Sequence, residues 1–344
     1  MLHIFIIHSY ITYLVAKEVI KYHQLDNSNC CFLYERGFRP SSPTADLMEV
    51  EIPFTHSPNK SFPVRYAFWK GWQELYKFDQ YLKHLTKDRF FLLYTNQTGI
   101  DYILLFITHK HCRGFSFLEE GTNSYHRLDI MNQEINPAGY STLNYKILML
   151  FNYKGRLPLS KYFFAKGYNF AYGISNYSFP QFKRKILLPS PFVNEDDLPA
   201  YKNILVFDGM GELGLVSNES ILSSLTEFIK MLKSMDVNEF WVKYHPEQVR
   251  NQNTLILYKN FFNTFSSNFT IHELPQSISL ESIAGNCKLT DVNFFVFLSS
   301  IGLYAAQSGR KVYSLANLVL KHEPNYKKLI VSLPDVYKEL ITFL

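Results

Sequence analysis

A chain of 344 residues, 47% of them hydrophobic, can bury two cores of ordinary size. Its formal charge of +5 is too small for nucleic-acid recognition, and no known nucleic-acid module is visible, although the charge suits an anionic ligand. The four cysteines lack any C-x-x-C spacing, which excludes a disulfide scaffold or a cysteine metal site and suits buried thiols in a reducing cytosol.

The chain opens with an apolar segment, Met1 to Ala16. It lacks the Lys or Arg of a signal peptide and is interrupted by His3, His8 and Ser9. It reads instead as a strand over Ile4–Ile7, a turn at His8–Ser9 and a helix over Ile11–Tyr22. Residues at such a strand end are common ligand contacts in an open α/β sheet, and an ordinary turn has the same sequence. Strands follow over Cys31–Tyr34, Phe90–Tyr94, Ile103–Ile107 and Phe115–Leu118, with helices over Tyr66–His84 and Thr142–Phe151.

Around Leu187–Pro191 a basic run, Lys183-Arg184-Lys185, is followed by two prolines and the acidic run Glu195-Asp196-Asp197. That charge reversal predicts an exposed linker between domains spanning 1–188 and 200–344. The pattern then restarts. Strands are expected over Asn203–Phe207, Phe240–Tyr244, Phe269–Glu273, Phe294–Leu298 and Val312–Leu315, with helices over Ser220–Leu232 and Gly302–Ser308. The longest uncharged run, Val292–Gly309, contains Asn293, Ser299, Ser300 and Gln307. A strand, turn and helix explain it better than a membrane span. The expected fold class is α/β, with two Rossmann-like domains facing a central cleft.

Three short elements carry chemistry. Glu119-Glu120-Gly121 ends a strand. Side chains alternate across a strand, so only one of the two carboxylates can face the cleft, where it could take a proton from a sugar hydroxyl. A solvated acidic turn has the same sequence. Asn123, Ser124 and Tyr125 follow and can position a polar acceptor. In Lys243-Tyr244-His245-Pro246, Lys243 and His245 share one side of a strand that the proline stops. A cationic pair there suits a nucleotide phosphate or base. Ser299-Ser300 sits at a helix start, where a cap and a phosphate site look alike. Glu281 starts a short helix; the helix dipole alone accounts for a carboxylate there, and it can also accept from ribose hydroxyls. Asp208-Gly209-Met210-Gly211 is an incomplete glycine fingerprint. With no D-x-D or H-E-x-x-H motif, metal-independent chemistry without a cofactor is expected.

At these residues the chain resembles the bacterial GT-B sialyltransferases, including capsular polysialyltransferases and lipooligosaccharide sialyltransferases. Those carry an acidic-acidic-Gly motif, a His-Pro motif and a late Ser/Thr pair. Here the matching residues are Glu119-Glu120-Gly121, His245-Pro246 and Ser299-Ser300. The resemblance implies a bacterial enzyme that moves sialic acid from CMP-sialic acid to a glycan hydroxyl with inversion. It implies Glu119 as general base, ahead of Glu120. His245 would protonate or hold the departing phosphate, with Ser299 and Ser300 binding it as well. An extension beyond the resemblance puts Lys243 near the cytosine or phosphate and Glu281 near the ribose. The expected location is cytoplasmic, with the 183–185 basic run a candidate for peripheral contact with the inner membrane. The alternatives are a GT-B transferase or epimerase using another nucleotide sugar, and a non-catalytic glycan-binding protein of capsule assembly.

Overall fold

The computed structural model describes residues 1–35, 37–40, 46–53, 68–134, 163–194 and 196–344. The expected helix over Thr142–Phe151 lies outside them. The chain divides into two compact units, Met1–Pro191 and Phe192–Leu344.

The first unit is built on a parallel sheet of seven described strands. They are β1 (Leu2–Ile7), β2 (Cys30–Tyr34), β3 (Met48–Glu51), β4 (Phe91–Thr95), β5 (Cys112–Leu118), β6 (Ala171–Gly173) and β7 (Lys185–Leu187). Their spatial order is β3-β2-β1-β4-β5-β6-β7, and every pairing is parallel. The chain leaves β1 for β2 on one side and later takes up β4 on the other. The strand order therefore reverses between β1 and β4, the kind of switch point at whose C-terminal strand ends open α/β sheets commonly bind ligands. Helices α1 (Tyr10–Tyr22), α2 (Phe68–Thr86), α3 (Asp101–Ile107) and α4 (Leu128–Glu134) accompany the sheet, with short 3-10 helices at Asn27–Asn29 and Gly121–Tyr125. Helix α1 starts with a capping box. The Ser9 hydroxyl accepts from the Thr12 N–H at 3.4 Å, and Thr12 Oγ1 accepts from the Ser9 N–H at 3.1 Å.

The expected strand over Ile103–Ile107 is instead part of α3. Tyr102, Ile103, Leu104, Leu105 and Phe106 are all buried, and a short run that is apolar on every side carries no period to separate helix from strand. The basic run also differs from expectation. Lys185 opens the edge strand β7, and its ammonium donates to the Asn176 and Ser178 carbonyls at 2.8 and 2.6 Å. Phe182 is buried, and the Arg184 guanidinium lies over the Tyr168 ring at 5.2 Å.

The second unit repeats the plan. Its strands are β8 (Asn203–Val206), β9 (Glu239–Lys243), β10 (Thr270–Glu273), β11 (Asn293–Val296), β12 (Lys311–Ser314) and β13 (Thr342–Phe343), ordered β10-β9-β8-β11-β12-β13 and parallel throughout. Here the order reverses between β8 and β11. Helix α5 (Asn218–Ser234) is capped by Ser217, whose hydroxyl accepts from the Ser220 N–H at 3.1 Å. It buries Ile221, Ser224, Leu225, Phe228, Ile229 and Leu232, a single stripe at helical spacing. Helices α6 (Pro246–Arg250), α7 (Gln252–Asn263), α8 (Leu280–Ala284), α9 (Ser300–Gln307), α10 (Ala316–His322), α11 (Lys327–Val331) and α12 (Asp335–Leu340) follow. Among the described residues no helix is long and apolar enough to cross a membrane. All four cysteines are free; Cys30 and Cys31 are buried, whereas Cys287, expected to be buried, is exposed.

Candidate functional sites at the two sheet ends

In the first unit the switch point is occupied by His8, which follows β1, and Asn96, which follows β4. Glu119 and Glu120 follow β5, the next strand over. Gly121 adopts a φ of +54°, a left-handed conformation that suits glycine and turns the chain into the short 3-10 helix Gly121–Tyr125. As alternation requires, the two carboxylates part. Glu119 is wholly buried. One of its oxygens accepts from the Tyr125 hydroxyl at 2.5 Å and the other from the Ile174 N–H at 2.7 Å. Glu120 turns toward β4 and β1. His8 Nε2 stands 2.6 Å from its Oε2, which also accepts from the Asn96 amide. Its Oε1 accepts from the Asn123 amide at 3.2 Å. Burial alone would push the Glu120 carboxyl up, but the His8 charge and the hydrogen bonds from His8, Asn123 and Asn96 outweigh it and hold the carboxyl below its ordinary value. Tyr125 and Ser124 are buried; Ser124 Oγ accepts from the Glu120 N–H at 2.8 Å. Of Asn123, Ser124 and Tyr125, it is Asn123 whose side chain donates to the Glu120 carboxylate.

In the second unit the switch point is Asp208-Gly209, at the end of β8. Asp208 Oδ2 accepts from the Leu298 N–H at 3.1 Å, which fixes the turn that leads into Ser299. Its backbone carbonyl accepts from the Gln248 amide at 3.2 Å, which ties in helix α6. Burial raises the Asp208 carboxyl to about 7 against the opposing hydrogen bonds from the Leu298 and Met210 N–H groups, with Glu212 adding to the rise. The structure thus brings His245 and Ser299-Ser300 to the same strand ends, on either side of Asp208.

His245 is the N-cap of α6. Its Nδ1 accepts from the Glu247 N–H at 3.3 Å, and Gln248 Oε1 returns a bond from the His245 N–H at 3.0 Å. Pro246 fills the first helical position, where its missing N–H costs nothing. Because Nδ1 accepts, the neutral ring carries its proton on Nε2. Burial lowers the imidazole pKa against the pull of Glu247, with Arg250 lowering it further. The neutral donor form is therefore favoured. Ser299 is the N-cap of α9, yet its hydroxyl makes no capping bond, and Ser300 is the first helical residue.

Lys243 and Glu281 are engaged with the loop before α8. The Lys243 ammonium is buried beneath the loop before α8 and donates to the Pro275 and Ile278 carbonyls at 2.7 and 2.9 Å. Burial depresses its pKa to about 8 in spite of nearby Glu281. Glu281 accepts from the Ser279 hydroxyl at 2.8 Å, and burial raises its carboxyl against the help of Ser279 and Lys243. Both hold the loop in shape. Sequence reasoning passed over Asn96 and treated Asp208 only as part of a glycine turn. Their position at strand ends beside a switch point was the available signal.

Neither a protein-family model nor a curated protein matches the chain. Solved structures do. UDP-GlcNAc 2-epimerase from Methanocaldococcus jannaschii is 10% identical with a TM-score of 0.50, covering 100% of this chain and 89% of that one. UDP-GlcNAc 2-epimerase from Neisseria meningitidis is 11% identical, with a TM-score of 0.43 over 100% and 95%. MurG from Acinetobacter baumannii is 11% identical, with a TM-score of 0.40 over 100% and 85%. The first of these likenesses, with the two parallel Rossmann-like sheets, defines the class: the chain has the GT-B fold. At such identities the likeness is one of fold.

Proposed function

We propose that this chain is an inverting glycosyltransferase that draws its sugar from a nucleotide-sugar donor. The observation that carries the reading is the gathering of His245, Ser299 and Ser300 around Asp208 at the switch point of the second sheet. A departing nucleotide phosphate needs charge stabilisation more than a strong acid. The His245 Nε2–H, two hydroxyls and the start of α9 are the donors for it. The acidic pair of the first unit supplies the proton acceptor for a glycan hydroxyl. Direct attack by that hydroxyl on the anomeric carbon inverts it.

The order of the three motifs supports CMP-sialic acid as donor and a capsular or lipooligosaccharide glycan as acceptor. The second reading is a UDP-sugar donor or epimerase chemistry, supported by the fold likeness to an epimerase described in complex with UDP-GlcNAc and UDP.

A thermal-shift series with CMP, UDP, GDP and ADP separates these. A ligand at about 100 times its dissociation constant adds about 2.7 kcal/mol. Stabilisation by CMP alone is the expected result. Stabilisation by UDP keeps the fold and replaces the donor. No response to any nucleotide contradicts the transferase reading and favours a glycan-binding protein.

A further inference from the structure

We propose that Glu120, not Glu119, takes the proton from the acceptor hydroxyl, and that His8, Asn96 and Asn123 are positioning residues that hold its carboxylate at the first sheet's switch point. This rests on the transferase reading and names the residue that performs its proton transfer.

Glu119 is committed to the fold. It is 0% exposed, and its two oxygens join the 3-10 helix after β5 to the chain after β6. There is little room beside it, since a Cβ on Gly173 would lie 3.3 Å from its Oε2. Glu120 is 8% exposed, so of the two it alone keeps surface. An ionised carboxylate offers about four acceptor sites. His8 and Asn96 take two on Oε2, and Asn123 takes one on Oε1. That leaves a lone pair on Oε1 for an incoming hydroxyl.

The support is built from three places in the chain. His8 is held by its backbone, whose N–H donates to Thr12 Oγ1 in the α1 capping box at 3.3 Å. Its side chain is 8% exposed and, among the described residues, bonds through Nε2 to Glu120 while its buried Nδ1 has no hydrogen-bond partner. Asn96 is 1% exposed and spends its amide on the same oxygen. Three donors aimed at one carboxylate keep it ionised and fixed in direction, which is what a proton acceptor requires.

The acceptor oxygen forms its bond to the anomeric carbon while the bond from that carbon to the phosphate oxygen breaks. The electron pair leaves with the nucleotide, and the hydroxyl proton passes to Glu120 Oε1 and then to solvent. The proton moves late, once its oxygen has become acidic. An ionised, well-placed carboxylate therefore serves even though its basicity is modest.

The test compares kcat, KM and melting temperature for Glu119→Gln, Glu120→Gln, His8→Ala and His8→Gln. The probe is release of CMP or UDP from whichever sugar nucleotide the wild type turns over, with lactose as acceptor. E120Q is expected to lose at least about a hundredfold in kcat with donor KM within about threefold. E119Q is expected to lower the melting temperature more than E120Q does, and kcat less. H8A is expected to lower kcat about tenfold or more, and H8Q, which keeps an N–H donor, to recover part of it. Formate is expected to restore turnover to Glu120→Ala, a readout that holds even where E120Q folds poorly. A large kcat loss in E119Q at unchanged melting, with E120Q near the wild-type rate, overturns the assignment. A wild type that releases nucleotide from no CMP, UDP, GDP or ADP sugar, with lactose or a lipooligosaccharide glycan as acceptor, overturns the transferase reading itself.

Discussion

His245→Asn is expected to leave the melting temperature of the protein nearly unchanged and to lower kcat at least about a hundredfold. The two halves of that result come from two parts of one side chain. The Nδ1 edge caps α6 by accepting from the Glu247 N–H, and asparagine is among the best residues for that task. On the proposed transferase reading the Nε2–H edge would donate to the departing phosphate, and the shorter side chain cannot carry a donor to the same place. Loss of one well-placed donor to a developing anion costs about a hundredfold to a thousandfold in kcat. His245→Ala removes both functions and is expected to lose, in addition, about 0.5–2 kcal/mol of stability. Paired kcat and melting measurements on the two variants check this. A near-normal rate for the asparagine variant would reduce His245 to a helix cap.

Gly285→Ala is expected to destabilise the second unit by at least about 3 kcal/mol. Gly285 ends α8 against the backbone of Phe192, and a Cβ there would sit 2.0 Å from the Phe192 carbonyl oxygen and 2.4 Å from its carbon. Backbone cannot yield as a flexible side chain can. The segment must move, and it carries the bridge between Asn194 and Asn286 with the bonds of both amides: Asn194 to Phe192 and Ser282, and Asn286 to Asn194 and Asp196. Overpacking costs about 1–3 kcal/mol and each lost hydrogen bond about 1 kcal/mol. For a unit of this size the melting transition should fall by roughly 6–12 °C. Calorimetry that follows each unit's transition measures it, and a shift under about 2 °C would contradict the packing described.

Much of the fold was legible because buried parallel strands are short apolar runs ended by polar turns. Cys31–Tyr34, Asn203–Phe207 and Phe294–Leu298 each fall within about two residues of an observed strand end. Where the pattern is weak the reading failed. The strands β3, β6 and β7 are three or four residues long, and Lys185 and Glu49 lie within them. Helix α3 was read as a strand because it is apolar all round. In the candidate site, strand alternation separated Glu119 from Glu120 in advance, but which of them faces the crevice depends on neighbours. Tyr125 and Ile174 claim one carboxylate, and His8 and Asn96 claim the other. Apart from Tyr125, those partners come from distant parts of the chain. Lys243 shows the same limit: a lysine at a strand end suggests phosphate, whereas the loop after β10 supplies the carbonyls that occupy it.

The most direct test of the transferase account is product analysis by NMR with the full chain, CMP-sialic acid or UDP-GlcNAc, and a glycan acceptor. The account predicts release of the free nucleotide with formation of a glycosidic bond of inverted anomeric configuration, lost in both His245→Asn and Glu120→Gln. A product that retains the donor's anomeric configuration, an epimerised donor without transfer, or no turnover of either donor would contradict it.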